Sequence, residues 1–307
     1  MSPSDQDARS QPALVIGGPT ASGKTDLAIA LAQRLGGDIV NADAFQLYAG
    51  LPLLTAQPSC AQKALVPHHL FGEMSLGETL DAASYAQRAR ERIRHCWEQG
   101  RPPILVGGSG LYLRAILRGL SQGLPAPDPS LRARLEALPL EALCAQLSTR
   151  DPDAMKQVDL KNPRRVIRAL EVCLLTGRPF SSFRTPDAPD APPVGIWLTL
   201  PRETLHERIS TRASKLFEQG VACEVREALP ALGKTAGQVI GLQQVAAVLT
   251  GKIKEQDAVV KIMEATRQYA RRQETWFRKE PLLVPCPPEH AMQEAQRIAA
   301  QTLASLP

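Results

Sequence analysis

The chain has 307 residues, 44% of them hydrophobic, and a formal net charge of +5. That length suits one large or two smaller domains with a packed core, and no apolar run reaches the ~18 residues of a membrane span. The six cysteines are scattered and form no C-x-x-C pair, so neither a zinc site nor a disulfide framework is indicated, and a reduced, cytoplasmic setting is expected.

Residues 1–12 are polar, lack an apolar signal region, and are read as a loose tail. Ala13-Leu14-Val15-Ile16 is a short apolar run with the character of a buried strand. Directly after it, Gly18-Pro19-Thr20-Ala21-Ser22-Gly23-Lys24-Thr25 fits the phosphate-binding pattern G-x-x-x-x-G-K-[ST] at every fixed position. Asp26 to Leu35 follows with Leu27, Ala28, Leu31 and Leu35 at helical spacing. Strand, glycine loop and helix is the context the motif requires. The glycines let backbone amides wrap an anion at the positive end of the helix. Lys24 adds a point charge, and the Thr25 hydroxyl can hold Mg²⁺. A phosphate or diphosphate ligand follows, but the loop alone does not choose between them.

Asp38-Ile39-Val40-Asn41 is a second strand, and Asp43 sits just past its carboxyl end. Ligands of open parallel sheets bind at that edge, where a carboxylate can hold metal or take a proton. Pro67-His68-His69-Leu70 has no third ligand at metal spacing, and a structural role for His68 and His69 is expected. Ala82 to Glu98 is helical, and Pro103 to Gly108 is a strand running into the turn that carries Ser109. Glycines there let a substrate approach the backbone.

From Leu120 the alternation stops. Asp128 to Leu138, Leu140 to Thr149 and Asn162 to Thr176 are expected helices, two of them opened by cap-plus-proline pairs. Thr185 to Pro193 is a Pro/Asp-rich connection. Strand character returns at Val194 to Leu200, and helices are expected to fill the rest. The fold class is therefore α/β, a P-loop NTPase-like parallel sheet core interrupted by an all-helical insertion. The core takes residues 13–119 and 191–307, and the insertion takes 120–190.

Arg164, Arg165 and Arg168 crowd a helix start, where cations oppose the helix dipole and an outside anion would relieve them. Arg267, Arg271, Arg272 and Arg278 interleave with Tyr269, Trp276 and Phe277, a mixture suited to single-stranded RNA. Apart from Asp43, no apolar strand ends in the magnesium-binding Asp of a second nucleotide motif. A small-molecule kinase and a non-catalytic RNA-binding protein both remain open on these residues alone.

Seven segments, in order, carry a resemblance. They are Gly18 to Thr25, Asn41 to Asp43 with Gln46 to Tyr48, Val66 to His69, Pro103 to Tyr112, Asn162 to Val172, Thr176 to Pro179, and Thr266 to Arg278. In these the chain resembles the bacterial tRNA dimethylallyltransferases, from about Ala13 to Lys279. The resemblance implies transfer of a dimethylallyl group from dimethylallyl diphosphate to an adenosine exocyclic amine. That adenosine lies 3′ to the anticodon in tRNAs reading codons that start with U, and diphosphate leaves with the help of Mg²⁺. It implies that the loop holds the leaving diphosphate, that Asp43 takes the amine proton, and that Lys24 and Ser109 act with it. By the same likeness Asp43, Ala44, Phe45, Gln46, Ser109 and Arg164, Arg165, Val166, Ile167 and Arg168 contact the tRNA anticodon stem-loop. Arg267 and Arg271 join them as the second basic cluster. No membrane or obligate protein partner is indicated.

The chain departs from the family pattern at Ala44 and Phe45, where Ser and Met are common, and at Ala49 and Gln57, where basic residues are common. Gln238 stands where some members carry Arg. Leu242 and Gln243 replace residues that are often aromatic or basic.

Overall fold

The computed structural model describes residues 11–119, 124–183 and 192–305. In chain order the elements are β1 (Leu14–Gly17), α1 (Lys24–Leu35), β2 (Asp38–Asn41), α2 (Pro52–Thr55), α3 (Cys60–Lys63), β3 (His68–His69), α4 (Ala82–Glu98), β4 (Pro103–Gly107) and α5 (Gly110–Leu117). They continue with α6 (Pro129–Glu136), α7 (Leu140–Arg150), α8 (Ala154–Gln157), α9 (Pro163–Thr176), β5 (Gly195–Leu198), α10 (Arg202–Lys215), α11 (Val221–Ala228), α12 (Leu242–Leu249), α13 (Glu255–Phe277), β6 (Leu283–Cys286) and α14 (Pro288–Ala304). The chain divides into two compact units, residues 1–118 with 189–307, and residues 119–188.

The first unit is built on one sheet in the order β3-β2-β4-β1-β5-β6, and every pairing is parallel. Parallel strands are covered on both faces, so their sequences are near-continuous apolar runs. Leu14, Ile16, Ile104, Val106, Ile196 and Leu198 point to the face covered by α1 and α14, where Ala28, Leu31, Ala295 and Ile298 complete the core. On the other face Trp197 stacks on Phe277 of α13, with ring centroids 5.6 Å apart. Two strands are additions to the sequence reading. His68–His69 is too short to leave a periodic signal. Leu283–Cys286 contains Pro285, which an edge strand such as β6 accepts. The expectation that helices fill the carboxyl-terminal stretch is corrected there.

The topology also locates the site. From β1 the chain crosses β4 to reach β2, whereas from β4 it crosses β1 to reach β5. Adjacent strands β1 and β4 thus send their connections opposite ways, which makes their carboxyl ends the switch-point crevice. Gly17 pairs with Gly107 and Asn41 with Val106, so the segments leaving β1, β2 and β4 depart at one level.

The second unit is all-helical among its described residues. Leu143 and Leu147 of α7 pack against Val166, Ile167, Ala169 and Leu170 of α9. Asp128 caps α6 by accepting from Ser130 N and Leu131 N, with Pro129 in the first turn. The carboxylate of Glu171 is fully buried and accepts from Arg132 and Arg168, each at 2.7 Å, and from the Asp128 amide at 3.0 Å. The tail at residues 1–10 and most of the Pro/Asp-rich connection, residues 184–191, lie outside the described residues. Among the described residues, no helix is long and apolar enough to cross a membrane.

Glu171→Ala should destabilise the second unit by about 2–3 kcal/mol, as expected for lost hydrogen bonds to charged groups. The cost stays below that of a fully buried broken pair because both arginines reach solvent. Denaturant unfolding followed by a probe within residues 124–183 measures it; unchanged stability would show that the network is inert.

Candidate active site

The phosphate loop takes a shape that only its composition permits. Gly18 and Gly23 have φ of 145° and 92°, and Ala21 is held at φ 64°, a left-handed conformation costly for a residue with a Cβ. Gly23 is also the N-cap of α1, so the loop amides and the helix start face one concavity. The Ser22 hydroxyl is buried there with no protein partner, an orphan that an anion's oxygen would satisfy. Lys24 Nζ donates to the loop carbonyl of Pro19 at 2.6 Å. Burial pulls the Lys24 ammonium from 10.5 down to about 8; Asp43 opposes that shift and Arg212 adds to it.

Asp43 reaches the same cavity from β2. Its backbone is locked by Asn41, whose Oδ1 accepts from Asp43 N at 2.8 Å and whose Nδ2 donates to Asp43 O at 3.0 Å. The Tyr85 hydroxyl donates to Asn41 O from the α4 side. Burial pushes the Asp43 carboxyl upward, and the Phe45 amide together with the charges of Lys24 and Arg212 opposes it. Ser109 begins α5, and its Oγ accepts from Ala44 N at 2.9 Å, tying the Asp43 loop to the end of β4. Gly107 makes this approach possible, because any Cβ there would collide with the Ala42 backbone.

A cavity of about 300 Å³ runs along the loop, lined by Ser22 to Thr25, Asp43, Gln46, His68 and Arg212. A smaller, more apolar cavity adjoins it and shares Thr20, Asp43, Thr55 and Arg212; its walls include Phe45, Leu54, Ile209, Leu216 and Tyr269. Charge and grease thus meet at Asp43 and Arg212. The Thr25 hydroxyl offers a hard oxygen donor beside the phosphate cradle, which suits Mg²⁺ sharing its shell with phosphate and water.

Sequence reasoning missed the arginines of α10. Arg212 donates to Thr20 Oγ1 at 3.3 Å and to Leu54 O at 2.8 Å, and Arg208 donates to the loop carbonyl of Ser22 at 3.4 Å. An Arg pair four apart on a helix is common, so no local signal distinguishes this one. Gln46 donates to Thr55 O and Ala56 O, which anchors α2 against the site.

The remaining expected residues separate. Arg164 and Arg165 are exposed on the second unit. Val166 and Ile167 are 0% and 5% exposed, so direct tRNA contact by their side chains is corrected: they are core, because the inner face of α9 must be apolar. Arg168 is committed to Glu171 and to Pro125 O. Arg267 is half-buried and donates to Ser210 Oγ on α10, while Arg271 is exposed. His68 and His69 diverge. His68 Nδ1 donates to Val66 O, whereas His69 Nε2 lies 2.8 Å from Asp38. Contrary to the spacing argument, the fold does gather further ligand types around His69, namely Asp38 and Cys96, but Arg101 also reaches that carboxylate at 3.3 Å.

A family described as IPP transferase matches residues 46–280. The tRNA dimethylallyltransferase of Streptomyces griseus is 42% identical over 279 residues, 88% of each chain. Among solved structures, the full-length tRNA isopentenylpyrophosphate transferase of Bacillus halodurans superposes with a TM-score of 0.68 at 31% identity, covering 95% of this chain and 96% of that one. A eukaryotic dimethylallyltransferase acting on tRNA has the same fold, with a TM-score of 0.79 at 24% identity over 95% of this chain and 79% of its own. The family match covers most of the chain, and the relatives are aligned along nearly their whole lengths: the chain belongs to the IPP transferase family.

Proposed function

We propose that this protein is a tRNA dimethylallyltransferase, moving the dimethylallyl group of dimethylallyl diphosphate to the exocyclic amine of the adenosine 3′-adjacent to the anticodon. The observation that carries the reading is the junction of two cavities at Asp43, an anion cradle on one side and apolar walls on the other. The Gly18 to Thr25 loop holds the diphosphate, and the apolar walls shelter the allylic carbons. The amine lone pair attacks the allylic C1, the carbon–oxygen bond breaks with its electrons going to the diphosphate, and the amine proton passes to the Asp43 carboxylate. An exocyclic adenine amine is a weak nucleophile, so a positioned base is worth roughly 10²–10⁴ in rate. Lys24 and Arg212 stabilise the charge that gathers on the leaving oxygens. Ser109 holds the base's loop through Ala44 N. Mg²⁺ held by Thr25 would neutralise phosphate charge. A target adenosine reaches so enclosed a base by leaving its stack. Arg164, Arg165 and Arg271 present exposed cations for the tRNA backbone. The free, scattered cysteines suit a cytoplasmic setting.

The direct test incubates the protein with unmodified tRNA and labelled dimethylallyl diphosphate, with labelled ATP as the control. Label transferred only from the prenyl donor is expected; label transferred from ATP would favour a kinase.

Asp43→Asn should lower the single-turnover rate by about 10²–10⁴ while tRNA affinity changes less than about tenfold. Near-wild-type turnover would remove Asp43 from the base role.

The two shifted groups set the pH profile. Asp43 must be ionised, so activity rises with pH through its raised pKa. Lys24 must be protonated, so kcat/KM for dimethylallyl diphosphate should fall above about pH 8, and that parameter reports the free enzyme. In Lys24→Met the alkaline fall should vanish and turnover should drop by about 10²–10³. An alkaline limb that survives this substitution would assign it to another group.

Neutralising Arg164 and Arg165 should flatten the salt dependence of tRNA binding by roughly one log–log unit or less per residue. Arg168→Ala should instead destabilise the second unit, since its guanidinium is engaged internally. Salt titrations of tRNA binding, paired with melting curves, separate the two outcomes.

A further inference from the structure

The mechanism requires two loops to keep a fixed separation. One carries the diphosphate and leaves β1. The other leaves β4 and, through Ser109, holds the segment bearing Asp43. The sheet ladder aligns them only as far as the pair Gly17 with Gly107. Beyond that pair a buried side chain on α13 spans them. Gln273, on α13, accepts from Thr20 N at 2.8 Å through Oε1 and donates to Gly108 O at 3.0 Å through Nε2. It is only 4% exposed, and its bond to Gly108 is fully buried, whereas the Thr20 end borders the cavity. Gly108 has to be glycine for this contact, because a Cβ there would run into the Gln273 amide. A primary amide is neutral and offers an acceptor and a donor on two separate atoms, so it can hold one partner with each.

We propose that Gln273 is the positioning residue that sets the distance between the diphosphate loop and the Asp43 base, so that it governs the chemical step and not substrate binding. This inference rests on the prenyl-transfer reading above. The Thr20 amide faces Gln273 and not the anion, so losing the bridge leaves the other loop amides free to bind diphosphate. What changes is the alignment of allylic carbon, amine and carboxylate. A displacement of about 1 Å at such a site costs on the order of 10²-fold in rate.

The test is a single-turnover assay per titrated active site, with unmodified tRNA and labelled dimethylallyl diphosphate, on wild type, Gln273→Met and Gln273→Glu. Gln273→Met keeps the volume without the bridge. Its rate should fall by about 10²-fold, with the dissociation constants of both substrates unchanged within about threefold, or roughly 0.7 kcal/mol. Gln273→Glu adds a readout that simple loosening would not move. Protonated, it is isosteric with Gln and rebuilds both bonds; ionised, it repels the Gly108 carbonyl. Burial favours its neutral form, so at pH 6 it should transfer faster than Gln273→Met by about tenfold or more. Equal rates for the two variants at every pH would overturn the proposal. So would a wild-type rate in Gln273→Met, or a loss confined to the fraction of active sites. If the wild-type protein itself transfers no prenyl label, the functional reading fails instead, and that result is distinct from any of these.

Discussion

The parallel register that sets Gly17 opposite Gly107 and Asn41 opposite Val106 is the constraint on which the rest of the site depends. It brings three loops out of the sheet at one height. Each loop then supplies one part: an anion cradle after β1, a carboxylate after β2 and a tethering hydroxyl after β4. A shift of one residue in any of these strands would turn its apolar side chains to the opposite face, and would withdraw its loop from the crevice. The packing of α1 and α14 on one face and of α4 and α13 on the other is therefore what holds the chemistry in register.

Burial gives the site its electrostatic character. Lys24, Arg212 and Asp43 are drawn out of water together, and desolvation works against the charged form of each. The attraction of Asp43 for each cation offsets part of that cost, the two cations repel, and a diphosphate would add the missing negative charge to a cluster with two cations and one anion. The same balance separates the site from the Asp38 group at the amino end of β2. There Arg101 and His69 already answer a buried carboxylate, and nothing calls for a further charge.

Much of the fold was legible because its signals are local. Asp38–Asn41 forms a strand with the expected bounds, and the strands expected at Ala13 and Pro103 lie within a residue of those found. Apolar runs between glycines and polar caps specify such elements without reference to the remainder of the chain. The phosphate loop was equally legible, since left-handed backbone at Gly18 and Gly23 is a demand on composition. β6 was not, because Pro285 weakens its strand character and only the sheet edge tolerates it. The burial of the Val166 and Ile167 side chains was illegible for a related reason. A motif gives the order of residues along α9, whereas the side of the helix that faces the core is set by α6 and α7.

By itself, the sequence determined the alternation of strands and helices, the phosphate loop and the carboxylate after the second strand, because each is encoded in a few adjacent residues. Only the tertiary structure decided which distant side chains complete the site. Arg208 and Arg212 lie more than 180 positions from the loop they reach, and Gln273 lies 253 positions from Thr20. No periodicity or spacing relates such residues. They meet because α10 and α13 pack over the carboxyl ends of the sheet, and the shapes of those surfaces are a property of the assembled core.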